Sequence, residues 1–279
     1  MAARPTGARK HPAGQLPGSE MDEEILAELA KELANAARTC VPVRLLSERF
    51  PGLTVQDAYR IQRINMEARA AAGDRIAGHK IGLTSTAMQE QMGIGEPDSG
   101  VVAQSMVAPG GGLLRAADFM NPRIETEIAF RLGRDLPGPS DLDTVRSAVA
   151  EAFLAFEILD TVFPSWDITL VDSIADNAAC AGVITGPAVP FDPAWDLAAE
   201  KIRLEADGEV VAIGEGGDVL GDPLKALVWL THRLPVLGTP LRAGDIVLAG
   251  SVHASLQLTP RTHFRATSTR LPAVQLRVD

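Results

Sequence analysis

Three glutamates stand in strongly apolar surroundings near the middle of the chain. The alternation in Ile124-Glu125-Thr126-Glu127-Ile128-Ala129-Phe130 predicts a strand, in which Glu125 and Glu127 share one face roughly 6–7 Å apart. Further along, Glu157 falls inside the apolar run Phe156-Glu157-Ile158-Leu159. Adjacent or buried carboxylates cost free energy unless a cation neutralises them. Three acids without a thiol among them suit a hard, oxygen-preferring ion such as Mg²⁺ or Mn²⁺.

The alternative is that these acids are solvated strand residues or ion-pair partners of Arg123 and neighbouring bases. Glu-x-Glu is a common pattern, and by itself it favours that structural role. The apolar setting of Glu157 favours the metal site instead. The spacing of the three residues leaves both interpretations open.

Lys80 is a second candidate for chemistry. It lies in the uncharged, strand-like stretch Gly78-His79-Lys80-Ile81-Gly82, between two glycines. A lysine drawn into a pocket can transfer a proton or pair with a substrate carboxylate. Alternatively, its stem lies along apolar surface while its ammonium stays in water. The nearby Pro97-Asp98-Ser99-Gly100 predicts a turn, in which Asp98 becomes an acid catalyst only by context.

The elements that must position these residues follow from periodicity and turn signals. Helices are predicted from Met21, from Thr54 to about Ala72, over Leu142–Ala152, and over Leu224–Leu234 with Asp222 as N-cap. Asp207-Gly208 predicts a two-residue hairpin. Strands are predicted over Ile124–Phe130, Phe153–Leu159, Gly182–Thr185, Lys201–Ala206, Glu209–Ile213 and Asp245–Ala249. The predicted division is a disordered tail at 1–20, a helical N-terminal region at 21–75 and a β-rich catalytic domain at 76–279.

Composition narrows the class of function. Aromatic residues make up 4 % of the 279 residues, which argues against stacking platforms for single-stranded nucleic acid. The net charge of −10 argues against a nucleic-acid or anionic-membrane surface. The two cysteines, Cys40 and Cys180, form no CxxC motif and are interpreted as small buried side chains. Without an apolar segment for export or membrane spanning, the expected compartment is the cytoplasm.

Several segments in a fixed order resemble a known enzyme family. The resemblance runs from about Leu53 to Ala254 and is carried by GHKIGLTSTAMQEQMGIGEPDSG (78–100), NPRIETEIAFRLGRDL (121–136), EILD (157–160), WDITLVDSIADNAACAGVITG (166–186), LGDPLKALVWLTHRL (220–234) and LRAGDIVLAG (241–250). These segments are similar to the 2-keto-4-pentenoate hydratase and 4-oxalocrotonate decarboxylase family of the fumarylacetoacetate-hydrolase superfamily.

The resemblance implies both a fold and a chemistry. It implies an α+β protein, with a mixed β-roll or sandwich catalytic body of the fumarylacetoacetate-hydrolase C-terminal type and a small helical N-terminal region. It implies Mg²⁺ or Mn²⁺ on Glu125, Glu127 and Glu157, with Lys80 and Asp98 as catalytic residues. The expected protein is a homo-oligomeric lyase that adds water to a 2-hydroxy-2,4-dienoate or 2-oxo-enoate. A vinylogous decarboxylase and a non-catalytic partner subunit are the alternatives.

This sequence departs from the family pattern at four places. Val162 stands where an arginine is usual, and Ala179 stands where a serine is usual. Ser99 replaces an aromatic residue, and Phe264–Arg270 replaces a glycine-rich segment. The metal and lysine positions are kept while positions expected to tune the substrate pocket have changed. Chemistry on a 2-oxo acid is therefore better supported than any particular substrate.

Overall fold

The protein combines helices at its N-terminus with two β-sheets, and the computed structural model describes residues 21–85, 89 and 96–279, apart from the side chain of Val236. The helices of these residues are α1 (Glu23–Thr39), α2 (Leu46–Arg49), α3 (Val55–Ala71), α4 (Leu142–Ala148), α5 (Leu170–Ala175) and α6 (Pro223–Leu237). Asp22 caps α1 through a bond from the Glu24 N–H, and Thr54 and Asp57 form the capping box of α3.

The strands of the same residues form one large sheet and one smaller sheet. They are β1 (Ile76–Gly82), β2 (Asp98–Ala103), β3 (Val107–Pro109), β4 (Leu113–Leu114), β5 (Arg123–Leu132), β6 (Val149–Leu159), β7 (Cys180–Thr185), β8 (Val189–Pro190), β9 (Lys201–Ala206), β10 (Glu209–Glu215), β11 (Ile246–Ser251), β12 (Leu256–Gln257), β13 (His263–Ser268) and β14 (Val274–Val278). The large sheet has the order β2-β1-β11-β5-β6-β7-β3, with β12 also beside β5 and β8 beside β6. The smaller sheet has the order β10-β9-β13-β14-β4.

The large sheet curls so that β2, at one end of the order, comes close to the turn before β7, near the other end. The Asn177 side chain, just before β7, bonds to the backbone of Val101 in β2. One face of the curled sheet therefore lines an interior, where Ala129, Phe153 and Leu248 pack together. The opposite face packs against the smaller sheet and α6, through residues such as Ile128. This mixed β-roll with a helical N-terminal region is the predicted fold class, and that prediction is confirmed.

The N-terminal helices share a core of their own with part of the β-rich body. Leu26, Leu33 and Ile61 are buried against Phe163 and against Ile174 of α5. Asp172 ties this arrangement together, because its carboxylate accepts from the N–H and hydroxyl of Ser47. α1, α2 and α3 thus pack directly on the segment that follows the third glutamate. The division into a helical N-terminal region at 21–75 and a β-rich catalytic domain at 76–279 stays a prediction.

Local sequence signals located most of the elements correctly. The predicted strand around Glu125 is present and longer at both ends, and the one around Glu157 begins earlier and ends at Leu159 as predicted. β9 has the predicted bounds. Asp207-Gly208 forms the hairpin turn, with φ of 50° and 89° at the two residues. α6 begins at Pro223 with Asp222 as its N-cap.

Some predictions were wrong. The predicted helix Leu142–Ala152 ends at Ala148, because Val149 and Glu151 already pair with β5. Asp98 is not in a turn; it is the first residue of β2, which pairs antiparallel with β1. The strands β13 and β14 were not predicted, nor was the short helix α2. Cys40 is exposed, and its thiol donates to the carbonyl of Asp118.

Two features of the sequence lie partly or wholly outside the described residues. They are the tail predicted at 1–20 and the centre of the segment 78–100 that carries part of the family resemblance. Among the residues that are described, no helix is both long and apolar enough to cross a bilayer.

Candidate active site

Antiparallel pairing of β5 with β6 brings the three glutamates together. Glu125 lies directly opposite Glu157 in the register, and Glu127 is two residues further along the same face of β5. One carboxylate oxygen from each residue can be chosen such that all three lie within 4.8 Å of one another. The strand alternation predicted from the sequence therefore places all three side chains in one cluster inside the roll.

This cluster is short of hydrogen-bond donors. Glu127 and Glu157 are fully buried, and Glu125 is half-buried. Glu127 Oε1 and both carboxylate oxygens of Glu157 are buried without a hydrogen-bond partner among the described residues. Arg123 does not fill this role; it donates to the Ser255 hydroxyl, and its guanidinium lies over the Trp166 ring. Such oxygens are costly to bury, and a divalent cation would satisfy them.

Burial and mutual repulsion both raise the pKa values of these carboxyls. Burial raises the pKa of Glu125 to about 8, and the neighbouring Glu157 carboxylate contributes in the same direction. Burial also raises the pKa of Glu127 well above its usual value, again with repulsion from Glu157 and Glu125. Three anions at this spacing require a cation if all of them are to be ionised at neutral pH. The donor set is all oxygen, which fits Mg²⁺ or Mn²⁺.

A backbone contact from β11 orients the central carboxylate. The Gly250 N–H donates to Glu127 Oε2 at 2.6 Å. Gly250 has φ of 118°, and a Cβ there would collide with the side chain of Thr84, so glycine is required for two reasons. The backbone role of Gly250 depends on a contact with β5 that the sequence does not show.

Lys80 and Asp98 project from β1 and β2 into the same interior. Lys80 is 4 % exposed, and its ammonium nitrogen lies 3.7 Å from Glu157 Oε1. Asp98 is 2 % exposed and pairs with Gly82 in the register of the two strands. The surface role considered for the lysine is therefore wrong, because its head is buried beside carboxylates.

Two glycines make the space in which these side chains fit. A Cβ added to Gly82 would overlap Asp98 Oδ1 and would lie 3.0 Å from Lys80 Nζ. A Cβ added to Gly100 would lie 2.6 Å from the Asn177 carbonyl oxygen and 3.1 Å from Lys80 Cε. The lysine stem thus lies across Gly100, and its ammonium lies beside Gly82 and Asp98.

The lysine is held in its charged form. Burial alone would lower the pKa of Lys80, but the carboxylates of Glu157 and Asp98 outweigh burial and the pKa is raised. Burial raises the pKa of Asp98, while the charge of Lys80 acts against that rise. The site therefore holds a protonated amine beside a buried carboxyl, and both groups can form hydrogen bonds to a substrate.

Two of the positions that depart from the family pattern, Val162 and Ala179, are buried. The Val162 side chain is buried with the N-terminal helices, and its N–H donates to Asp176 Oδ2. Ala179 is buried as the last of three consecutive residues with positive φ: Asn177, Ala178 and Ala179. A left-handed conformation in non-glycine residues is strained and persists only where surrounding contacts enforce it. This turn leads into Cys180, a buried thiol close enough to Glu157 to interact with it electrostatically.

The described cavities do not contain the glutamates. A cavity of about 670 Å³ lies behind β1 and β2 and is lined in part by Tyr59, Gln62 and Ser99. Another, of about 420 Å³, is lined in part by Asp176 and Cys180. Neither is lined by Glu125, Glu127 or Glu157. The candidate site is therefore assigned from the chemistry of its side chains and not from the size of a cavity.

Comparison with known proteins agrees with this fold. Residues 72–279 match the family model for the fumarylacetoacetate (FAA) hydrolase C-terminal domain. A 2-keto-4-pentenoate hydratase of Burkholderia vietnamiensis is 40 % identical over 235 residues, which cover 83 % of this chain and 88 % of the relative. A 2-hydroxyhexa-2,4-dienoate hydratase of Comamonas testosteroni is 34 % identical over 234 residues, covering 83 % and 89 %.

A solved structure matches nearly the whole chain. It is a 4-oxalocrotonate decarboxylase from Pseudomonas putida G7 complexed with magnesium and adipate, with a TM-score of 0.90 and 29 % identity over 93 % of this chain and 99 % of that one. The resemblance read from the sequence motifs is thereby confirmed. The chain belongs to the fumarylacetoacetate hydrolase family, and it is an enzyme of the lyase class.

Proposed function

We propose that the protein is a divalent-metal-dependent hydratase of 2-hydroxy-2,4-dienoates or the corresponding 2-oxo-enoates. One observation carries the proposal: Glu125, Glu127 and Glu157 converge in a buried cluster beside the Lys80 ammonium. The names of the hydratase relatives support the reaction, and the magnesium in the decarboxylase structure supports the ion.

The proposed metal ligands are Glu125, Glu127 and Glu157, and the proposed ion is Mg²⁺ or Mn²⁺. When bound, such an ion would act as a Lewis acid and withdraw electron density from the 2-oxygen of the substrate. The three carboxylates would determine the position of the ion and therefore of its positive charge. Because they lie in the interior of the roll, the surrounding apolar side chains strengthen their interaction with a cation.

Lys80 and Asp98 are the proposed proton-transfer groups. The ammonium of Lys80 can donate a proton to the dienoate as the enol becomes the ketone, or stabilise negative charge that develops on it. Asp98, next to that ammonium, can return or accept the proton. Addition of water across the remaining conjugated double bond then gives a 4-hydroxy-2-oxo acid.

Decarboxylation is the second candidate reaction, because the decarboxylase structure matches 93 % of the chain. The same electron-withdrawing site can favour loss of CO₂ from a carboxylate conjugated with the 2-oxo group. The two reactions differ in product, so a panel of dienoates with and without a second carboxylate separates them. Release of CO₂ identifies the decarboxylase, and loss of conjugation without CO₂ identifies the hydratase.

A non-catalytic partner subunit is the remaining alternative from the sequence. Retention of Lys80, Asp98 and all three glutamates in one cluster argues against it. We also propose a homo-oligomer in the cytoplasm, with no nucleic-acid partner. The edge strand β10 exposes Val210, Val211 and Ile213, which is a surface that association would cover.

A further inference from the structure

The strand that carries Asp98 is at one end of the sheet order. β2 pairs with β1 on one side and is the terminal strand of its sheet on the other. A terminal strand leaves backbone N–H and C=O groups without strand partners. Groups of this kind must find other partners when they are buried, and Ser99 is 2 % exposed.

Side chains from outside the sheet take the place of the missing strand. The Ser99 N–H donates to the Tyr59 hydroxyl at 3.1 Å, and Gln62 Nε2 donates to the Ser99 carbonyl at 3.0 Å. Two residues along, the Val101 N–H donates to Asn177 Oδ1 and Asn177 Nδ2 donates to the Val101 carbonyl, both at 2.9 Å. Both backbone groups of both residues are therefore held by side chains.

The side chains that bind the backbone of β2 belong to two other parts of the fold. Tyr59 and Gln62 belong to α3, and Gln62 Nε2 also donates to the carbonyl of Ile174 in α5 at 3.1 Å. Asn177 belongs to the left-handed turn before β7, and its Nδ2 also lies 3.3 Å from the carbonyl of Cys180. The contacts thus connect the N-terminal helices, β2 and the last part of the roll.

Ser99 and Val101, whose backbones are bound by these side chains, are close in the sequence to the positions that matter for the proposed chemistry. Ser99 directly follows Asp98, and Gly100, on which the Lys80 stem lies, stands between Ser99 and Val101. A shift of β2 by a few tenths of an ångström would move both the acid and the support of the lysine. Proton transfer depends steeply on such distances.

We propose that Tyr59, Gln62 and Asn177 are positioning residues that act as an edge clamp on β2 and thereby set the placement of Asp98 and Lys80. The inference rests on the proposed function, since it assigns the clamp to the two proton-transfer residues. It also gives the N-terminal helices a role in the reaction, because α3 holds the strand that carries Asp98.

The test uses two variants that remove hydrogen bonds without removing bulk. Tyr59→Phe deletes one hydroxyl and keeps the ring over which the Arg233 guanidinium lies. Gln62→Met deletes both donors of the amide and keeps the length of the side chain. Gln56→Met, on the exposed side of the same helix, is the matched control. Hydrogen exchange in a peptide spanning 98–103 reports on the clamp independently of turnover.

We expect faster exchange in residues 98–103 for both clamp variants. The Tyr59 hydroxyl accepts from the Ser99 N–H and, at 3.4 Å, from the Ser99 hydroxyl. We expect kcat to fall about threefold to tenfold for Tyr59→Phe, because an ordinary hydrogen bond is worth about that much, and about tenfold or more for Gln62→Met. KM and Mn²⁺ affinity should stay within about twofold of the parent, because the glutamates are not moved. Gln56→Met should match the parent in every measurement.

If the parent enzyme is active, either of two results would refute the proposed clamp. One is unchanged exchange in both variants. The other is faster exchange with an unchanged kcat, or with a loss of Mn²⁺ affinity as large as the loss of kcat, since β2 would then not set the chemistry selectively. If the parent converts no dienoate at all, the proposed function fails and this inference falls with it.

Discussion

At the scale of single residues, the decisive feature is a cluster of three carboxylates inside the roll. Glu127 Oε1 and the Glu157 oxygens have no hydrogen-bond partner among the described residues. Lys80 contributes one positive charge at 3.7 Å from Glu157, against three carboxylates. A purely structural cluster of this composition would be a large and uncompensated cost. We therefore propose that a bound divalent ion compensates these carboxylates.

Replacing one proposed ligand should remove the ion while leaving the strand in place. Glu127→Gln keeps the shape of the side chain and the acceptor for the Gly250 N–H, but it removes a charge. We expect Mg²⁺ or Mn²⁺ affinity to fall by about 100-fold or more, since even supporting residues of a metal site are worth 10–100-fold. Glu151→Gln is the control, because Glu151 lies on β6 in a surface ion pair with Arg131. Equal affinity of the Glu127 variant and the parent by calorimetry would refute the assignment.

Replacing Lys80 tests whether its ammonium takes part in catalysis or whether the side chain only packs. Lys80→Met keeps most of the stem that lies across Gly100 and removes the ammonium. We expect kcat to fall by about 10²–10⁴-fold, the usual contribution of a general acid or base. Metal affinity should survive, because the nitrogen is not a proposed ligand. Lys201→Met on the exposed side of β9 is the control. Parent-like turnover of Lys80→Met would show that the ammonium does not take part.

At the scale of elements, β1 and β2 form the part of the site that local signals described least well. The strands β5 and β6 could be predicted because alternating or continuous apolar residues mark them directly. Asp98 was predicted in a turn because Pro97 and Gly100 flank it, and only its pairing with β1 reveals a strand. The clamp residues Tyr59 and Gln62 act on Ser99, some forty positions away. No periodicity within a segment encodes such a contact.

The inward glycines of β1 offer a test at this scale. Gly82→Ala introduces a methyl group that would overlap Asp98 Oδ1 and approach Lys80 Nζ to 3.0 Å. We expect kcat to fall by about tenfold or more with little change in metal affinity, because the proton-transfer pair must separate to admit the methyl. Gly52→Ala, where a Cβ would meet nothing within 4 Å, is the control. An unchanged kcat would show that the spacing of Lys80 and Asp98 is not critical.

Asp74, in the connection between α3 and β1, should make the free energy of unfolding depend on pH. The Ser105 hydroxyl and N–H donate to Asp74, and with Arg69 they lower the pKa of its carboxyl to about 2, from an ordinary value of 3.8. The folded pKa is depressed, so the stabilisation is present above about pH 4 and is lost as the pH falls towards 2. We expect Asp74→Asn to lower the melting temperature by about 2–4 °C at pH 7 and by much less near pH 2. A difference that is constant with pH would contradict this.

At the scale of the whole molecule, the family and the fold class were both evident from the sequence. The motifs from 78 to 250 occur in the order that the family requires. The site residues from three of these motifs lie around one interior: Lys80, Asp98, Glu125, Glu127 and Glu157. What could not be predicted is how the N-terminal helices join the body, since their core includes Phe163 and Ile174 from distant segments. The second sheet was likewise incompletely predicted, because β13 and β14 pair with each other and with β9 and β4.

Assembly is the prediction that belongs to this scale. The resemblance implies a homo-oligomer, and the exposed aliphatic residues of β10 provide apolar surface for one. We expect a mass larger than that of a dimer in light scattering at micromolar concentration, compared with 29.5 kDa for one chain. A monomeric mass under the same conditions would refute the prediction without affecting the site.

The most direct measurement incubates the purified protein with Mg²⁺ and a panel of 2-hydroxydienoates. Ultraviolet absorbance follows loss of conjugation, and a parallel assay follows release of CO₂. We predict loss of the conjugated absorbance that requires Mg²⁺, stops when the ion is chelated, is absent in Glu127→Gln, and proceeds without CO₂. Absorbance that persists for every substrate, or that is lost equally with and without a divalent ion, would contradict a metal-dependent hydratase.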